Sequence, residues 1–182
     1  MASQLLSLFD HVPDRRRAEG KRYPLGPVLL YSVLAMLAGA RSYRQISIFI
    51  TTHLACLNAA FGTPLRRAPA YSSLWLILNG VNGDDLEAAF RLHAEGLDAL
   101  TAGTVRAIAV DGKTLRRSFD SFADRKAMHL LGAFAHDGHI ILGHLAIEEK
   151  SNEIPAVQKL IPALGLTGRL YTMDAMHCQK NL

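Results

Sequence analysis

The sequence is poor in cysteine, and its two cysteines, Cys56 and Cys178, are 122 positions apart. This separation does not match the short spacings with which cysteines hold a structural zinc ion. Two cysteines are also too few for a scaffold that depends on several disulfide bonds. We therefore expect a reduced, cytoplasmic protein with two free thiols.

Long apolar runs are missing as well. The longest, residues 28–40, has 13 residues, whereas a membrane-spanning helix needs about 20. The N-terminus also lacks a cationic start followed by an apolar segment, because Arg15 to Arg17 come after Leu5, Leu6 and Leu8. We therefore predict no membrane span and no export. Of the 182 residues, 49% are hydrophobic, which is enough for the core of one or two globular domains.

Acidic residues are scarce in the first part of the chain. Residues 1–70 contain nine lysines and arginines but three aspartates and glutamates, whereas residues 71–182 contain eleven and thirteen. Five cations fall within eight positions: Arg15, Arg16, Arg17, Lys21 and Arg22. Such a density is typical of segments that contact phosphates, with an affinity that falls steeply with salt. A solvated basic turn is the alternative interpretation.

Residues 1–100 have the periodicity of helices. An apolar stretch from Val28 to Leu37 predicts a buried helix, and Ser42 is expected to cap a second, amphipathic helix that ends near Phe61. Ser72 or Ser73 is expected to open a third helix, and Asp84 or Asp85 a fourth. Four arginines stand near these predicted helix starts: Arg41, Arg44, Arg66 and Arg67. The pattern predicts a DNA-binding region of the helix-turn-helix kind, and a purely structural helical cap is the alternative.

From residue 104 the periodicity becomes that of strands. We predict strands over residues 105–110, 128–135 and 139–147, with Asp137-Gly138 as a tight turn between the last two. Both of these are apolar on each face, so helices are expected on both sides of the sheet. A helix opened by Ser151 or Asn152 then leads to a fourth strand over residues 169–174. Because a crossover helix precedes it, this strand is expected to run parallel to a neighbour.

An aspartate closes two of the predicted strands. Asp111 stands before Gly112, and Asp174 follows 63 positions later. An Asp-Gly pair is also common in turns. If the two strands are parallel neighbours, however, both carboxylates lie at the edge of the sheet where α/β active sites occur. Two such carboxylates would repel each other without a cation between them, so we predict bound Mg²⁺ or Mn²⁺ and a phosphodiester substrate.

Six segments, in one order along nearly the whole chain, carry a resemblance to a known family. They are residues 13–17 (PDRRR), 37–43 (LAGARSY), 109–113 (AVDGK), 132–134 (GAF), 149–155 (EKSNEIP) and 174–176 (DAM) with Gln179. With these segments the chain resembles the insertion-sequence DDE transposases of the H-repeat-associated group. The resemblance implies an α/β protein with a helical N-terminal region (residues 1–100) followed by an incomplete RNase H-like mixed sheet (residues 104–182). This sheet would contain three antiparallel strands, a crossover helix and a parallel fourth strand.

The resemblance also implies an activity. In this family, water activated by Mg²⁺ cleaves double-stranded DNA at the terminal repeats of the element, and the freed 3′-hydroxyl attacks target DNA. Asp111 and Asp174 match the first two acids of the metal-binding triad. Lys113 and Arg116 are candidates for contacts with DNA phosphates beside the metal, and a homo-oligomer is a possible form of the protein.

The third acid of the family, a glutamate on a later helix, has no counterpart before Leu182. The resemblance therefore implies a truncated copy. Glu153 is a candidate substitute ligand, although a glutamate at a helix start is also favoured by the helix dipole. Two alternatives remain open: a catalytically inactive fragment that binds DNA or the full-length transposase as a decoy or regulator, and an unrelated metal-dependent nuclease or phosphatase.

Overall fold

The structure is a computed structural model, and it describes residues 2–99, 106–115, 128–147 and 153–174. Helices come first and a four-stranded mixed sheet follows, which confirms the predicted α/β class. The elements are α1 (Ala2–Asp10), α2 (Leu25–Leu37), α3 (Tyr43–Phe61), α4 (Tyr71–Asn79), α5 (Gly83–Ala99), β1 (Ala107–Thr114), β2 (His129–Ala135), β3 (Ile140–Ile147), α6 (Glu153–Leu164) and β4 (Leu170–Met173). None of the helices within the described ranges has the length and apolar character of a membrane span.

The chain divides into two compact units, Met1–Ala89 and Phe90–Leu182, which we call the helical unit and the sheet unit. The division falls inside α5, whereas the predicted regions were residues 1–100 and 104–182. The second half of α5 belongs with the sheet because it contributes to the core there, where Ala94 is buried.

The helical unit is built around α2. Val28, Leu30 and Tyr31 on this helix are fully buried, as its continuous apolar sequence predicts. Helix α1 was not predicted from the sequence, and its Leu8 and Phe9 are buried in the same core.

The predicted start and end of α3 are confirmed. The Ser42 hydroxyl accepts a hydrogen bond from the Gln45 N–H, and Gly62 follows the helix at φ 65°, a left-handed conformation that favours glycine.

Two predicted helix starts are wrong. Helix α4 begins at Tyr71 after Ala70, so Ser72 and Ser73 lie within its first turn. Helix α5 is capped by Asn82, whose side-chain oxygen accepts hydrogen bonds from the N–H groups of Asp84 and Asp85. Both aspartates therefore lie inside the helix, where their charge complements the positive end of its dipole.

The sheet has the order β3-β2-β1-β4. β1, β2 and β3 pair antiparallel, and β4 pairs parallel with β1 after the crossover helix α6. This topology confirms the predicted strand arrangement and is consistent with the incomplete RNase H-like sheet that the resemblance implies.

Within the described residues, α6 packs on one face of the sheet only. Ile108, Leu131 and Leu142 are almost fully buried on that face, together with Val157 and Leu160 of α6. On the other face Leu130 is half-buried and Ile141 is 43% exposed. Helices were expected on both faces of the sheet, but in the described part of the chain only one face is covered. The opposite face, which we call the open face, carries the candidate site.

Candidate metal and DNA sites

Asp111 lies within a strand and not at its end, which corrects the sequence-based prediction. β1 continues to Thr114 because β2 provides backbone partners there, with Asp111 opposite Gly132 and Thr114 opposite His129. Gly112 therefore does not turn the chain away from the sheet. The predicted strand start, Val105, lies outside the described residues.

The parallel pairing of β1 and β4 ends immediately before Asp111 and Asp174. Val110 of β1 is in register with Met173, the last residue of β4, and the two aspartates are the next residues along the chain. Neighbouring strands lie about 4.8 Å apart. Successive side chains of a strand point to opposite faces. Since Val110 packs in the core under α6, Asp111 belongs to the open face. Asp174 directly follows the last residue of β4, and both aspartates are exposed.

Asp111 is accessible and already has a cationic neighbour. Its side chain is 68% exposed, and the Lys113 ammonium nitrogen lies 3.7 Å from its Oδ2 atom. The two residues are one pleat apart on β1, so both line the same groove of about 390 Å³ on the open face. The groove floor is largely apolar, with Ala109, Leu130 and Phe134 among its lining residues.

The donor set at Asp111 and Asp174 fits a hard divalent cation in part. Carboxylate oxygens are the ligands that Mg²⁺ prefers, and Mg²⁺ keeps several waters when proteins supply one or two carboxylates. Among the described residues, however, no group of three or more His, Cys, Asp or Glu side chains could hold a metal ion. Glu153 is the first residue of α6, and the structure describes its backbone only; Arg116 lies outside the described residues.

Arg16, in the predicted phosphate-binding cluster, is bonded internally. Its guanidinium donates two hydrogen bonds to the Asp14 carboxylate, at 2.8 and 2.7 Å, and others to the carbonyl oxygens of Gly20 and Tyr23. The hydrogen bond from Arg16 holds the pKa of the Asp14 carboxyl below its usual value. Arg16 therefore fixes the loop that carries the other four cations.

The four remaining cations of the cluster are exposed. Arg15 forms an ion pair with Asp85 at 2.8 Å, but its side chain is still 63% exposed. Arg17, Lys21 and Arg22 are exposed. Arg22 also lines a groove with Arg66 and Arg67, and Arg67 donates a hydrogen bond to the Tyr23 hydroxyl at 3.1 Å. The fold thus adds two arginines, more than 40 positions away in sequence, to one end of the cluster.

A buried ion cluster at the opposite end of the strands from the aspartates was missed in the sequence. Asp98 of α5 is 5% exposed. Its Oδ2 atom accepts a hydrogen bond from the Arg169 guanidinium and lies 3.6 Å from Nη1 of Arg106. No local pattern in the sequence indicates this cluster, although each arginine precedes an aspartate of the candidate site by five positions.

The chain is similar to one known protein family and to several bacterial proteins. The family described as DDE_Tnp_1-associated matches residues 6–94. The chain is 32% identical to the Escherichia coli K12 protein named "Putative transposase YncI", over 97% of the chain and 71% of that protein. It is 30% identical to "H repeat-associated putative transposase YhhI" of the same strain, over 98% of the chain and 47% of that protein.

A further relative comes from another genus. It is an uncharacterised protein in the dhlA 3′ region of Xanthobacter autotrophicus, 30% identical over 94% of the chain and 58% of that protein. The chain spans about half the length of several of the curated relatives it matches, with 47%, 47% and 45% in three of them. No solved structure matches the chain.

Proposed function

Because the chain belongs to the DDE transposases of the H repeat-associated group, we propose that its sheet unit carries two of the acids that bind Mg²⁺ or Mn²⁺ for cutting DNA. The names of its relatives support a transposase role. The observation that carries the proposal is the register of β1 and β4, in which Val110 and Met173 are partners immediately before Asp111 and Asp174.

In this proposal the exposed carboxylates of Asp111 and Asp174 provide negative oxygen ligands on adjacent strands. A divalent ion bound there would polarise a phosphate oxygen and lower the pKa of a water molecule. Lys113 would leave Asp111 for the DNA, because its 79% exposed side chain can turn from the carboxylate to a phosphate. The open groove beside these residues provides access for a phosphodiester.

The test is Mn²⁺ titration by calorimetry of the wild-type chain and of Asp111→Asn and Asp174→Asn. Each substitution removes a charged ligand but keeps the size of the side chain. Even changes to residues behind metal ligands typically weaken affinity about 10- to 100-fold, so we expect a loss at least this large in both variants. The control is Asp137→Asn, which alters an exposed aspartate in the β2–β3 turn. Equal Mn²⁺ affinity in all four proteins would disprove the proposed ligands.

We further propose that the helical unit contacts the DNA backbone through Arg17, Lys21 and Arg22, with Arg66 and Arg67 extending the surface. The support is their exposure and the shared groove of the last three. Such contacts release counterions, so the logarithm of affinity falls with the logarithm of salt concentration by about 0.9 per phosphate contact.

Replacing Arg17, Lys21 and Arg22 together with glutamine should flatten this salt dependence by about 2.7 units of slope. The measurement is fluorescence anisotropy with labelled duplex DNA across a series of salt concentrations. Arg15 and Arg16 are kept, because their bonds to Asp85 and Asp14 support the fold. Lys159→Gln, an exposed cation on α6, serves as the control and should leave the slope unchanged. A slope that stays the same in the triple variant would show that the cluster is merely solvated.

A DNA-binding or transposase-binding regulator is the second candidate function. It is favoured by the finding that no group of three or more possible metal ligands occurs among the described residues. Single-turnover nicking assays separate the two functions, because a regulator would shift DNA in a gel without cutting it.

A further inference from the structure

The geometry points to Asp98 as a positioning residue that sets the register of β1 and β4 and thereby holds Asp111 level with Asp174. The inference rests on the proposed metal role of these two aspartates. Asp98 itself is far along the strands from them and cannot contact the metal or DNA at that site. Its role would be exerted through the two arginines that it binds.

Both arginines lie immediately before the paired strands. Arg106 precedes Ala107 of β1, and Arg169 precedes Leu170 of β4, while Ala107 and Leu170 are in register. The Leu170 N–H also donates a hydrogen bond to the carbonyl oxygen of Arg106 at 3.1 Å. One carboxylate on α5 therefore binds both strands at the point where their pairing begins.

The spacing from arginine to aspartate is the same on both strands, so the position of the two arginines also sets the position of the two aspartates. Arg106 precedes Asp111 by five residues, and Arg169 precedes Asp174 by five residues. At about 3.3 Å per residue, five residues of each strand span roughly 17 Å. Fixing the two strands at the arginines therefore fixes the two aspartates at the same height. A slip of one residue would move one aspartate to the other face of the sheet.

Because the Asp98–Arg169 ion pair is buried, other registers of β1 and β4 are unfavourable. The side chains of Asp98 and Arg169 are each 7% exposed, so neither charge can be satisfied by water if its partner moves away. A shifted β4 would leave a buried guanidinium or carboxylate unpaired, which is strongly disfavoured. Selecting one register is the best-attested role of buried polar groups.

The test measures the alignment of the two aspartate positions without a metal. Cys56 and Cys178 are replaced with serine, and Asp111→Cys and Asp174→Cys are introduced together. The strand spacing of about 4.8 Å lies within the range that a disulfide can bridge, about 4.4–6.8 Å between Cα atoms. In this background, with oxidised glutathione added as the two-electron oxidant, we compare the rate of disulfide formation with and without Asp98→Asn. A displacement of about 1 Å can cost a reaction 10²-fold, so we expect the rate to fall by about tenfold or more.

Two further variants distinguish an effect of Asp98 on strand register from an effect on stability. Asp98→Leu with Arg169→Met replaces the buried ion pair with apolar side chains, an exchange that is often neutral for stability. We expect this variant to melt near the parent temperature and still to form the disulfide about tenfold more slowly. Asp85→Asn, which removes an ion-paired aspartate from the same helix, should leave the rate unchanged. A folded Asp98→Leu/Arg169→Met variant that cross-links as fast as the parent would overturn the inference.

Mn²⁺ binding by Asp98→Asn, with both site aspartates present, distinguishes this inference from the proposed function. Weaker binding together with slower cross-linking supports both. Slower cross-linking in a protein whose parent binds no Mn²⁺ supports the positioning role of Asp98 and rejects the metal site.

Discussion

Replacing Asp111 or Asp174 by asparagine is expected to slow Mg²⁺-dependent nicking of element-end DNA by about 10²- to 10⁴-fold. The assay uses a fusion of this chain to the part of YhhI that lies beyond the matched region, because the family's third acid is expected there. A bound metal ion supplies several kcal/mol of transition-state stabilisation, and each 1.36 kcal/mol corresponds to a tenfold change in rate. Loss of a carboxylate ligand should remove most of this contribution.

The unfused chain is part of the same experiment. Its described residues contain no group of three or more possible metal ligands, so we expect it to nick far more slowly than the fusion. Asp137→Asn in the fusion is the control and should retain the parent rate. An unfused chain that nicks as fast as the fusion would show that Glu153 or another acid of these 182 residues completes the site.

The second prediction concerns two adjacent leucines on opposite faces of β2. Leu131→Ala is expected to lower the free energy of unfolding of the sheet unit by about 2–5 kcal/mol, because a fully buried leucine loses its contacts and leaves a cavity under α6. Leu130→Ala should cost less than about 1 kcal/mol, since Leu130 on the open face is only half-buried. Urea denaturation followed by circular dichroism measures both values. Equal losses would show that the open face is covered in solution.

The open face also predicts how the chain associates. The open face has exposed apolar residues, and the outer edge of β4 has no strand partner among the described residues. Both features favour pairing between molecules. Leu130 is one of these apolar residues and is half-buried, whereas Leu142 on the opposite face is 1% exposed under α6.

The fold could be predicted to the extent that it depends on local sequence. The Ser42 cap, Gly62 and the hairpin turn at Asp137-Gly138 are local signals. The crossover through α6 predicts a parallel β4, because parallel neighbours are usually joined by such a helical crossover. The predictions failed where a distant segment decides the outcome. Asp111 remains in a strand because β2 pairs with it.

The residues of the candidate site could be predicted from the sequence, but the contacts that hold the surrounding structure in place could not. A carboxylate after an apolar run is visible in the sequence, so Asp111 and Asp174 could be named. Arg16 is indistinguishable in sequence from Arg15 and Arg17. Its internal hydrogen bonds form only because the loop to Tyr23 follows a particular path. The partnership of Asp98 with two arginines depends on how α5, β1 and β4 meet, which no local pattern encodes.

The parallel pairing of β1 and β4 also determines when the site forms during folding. β2 and β3 are joined by a four-residue turn, and such hairpins form in microseconds, whereas Ala107 and its partner Leu170 are 63 positions apart. Because closing a longer loop costs more entropy before any contact compensates it, β4 should dock after the hairpin and α6 are in place. Asp174 would then reach Asp111 in one of the last folding steps, and a chain still emerging from the ribosome would have no metal site until β4 had been synthesised.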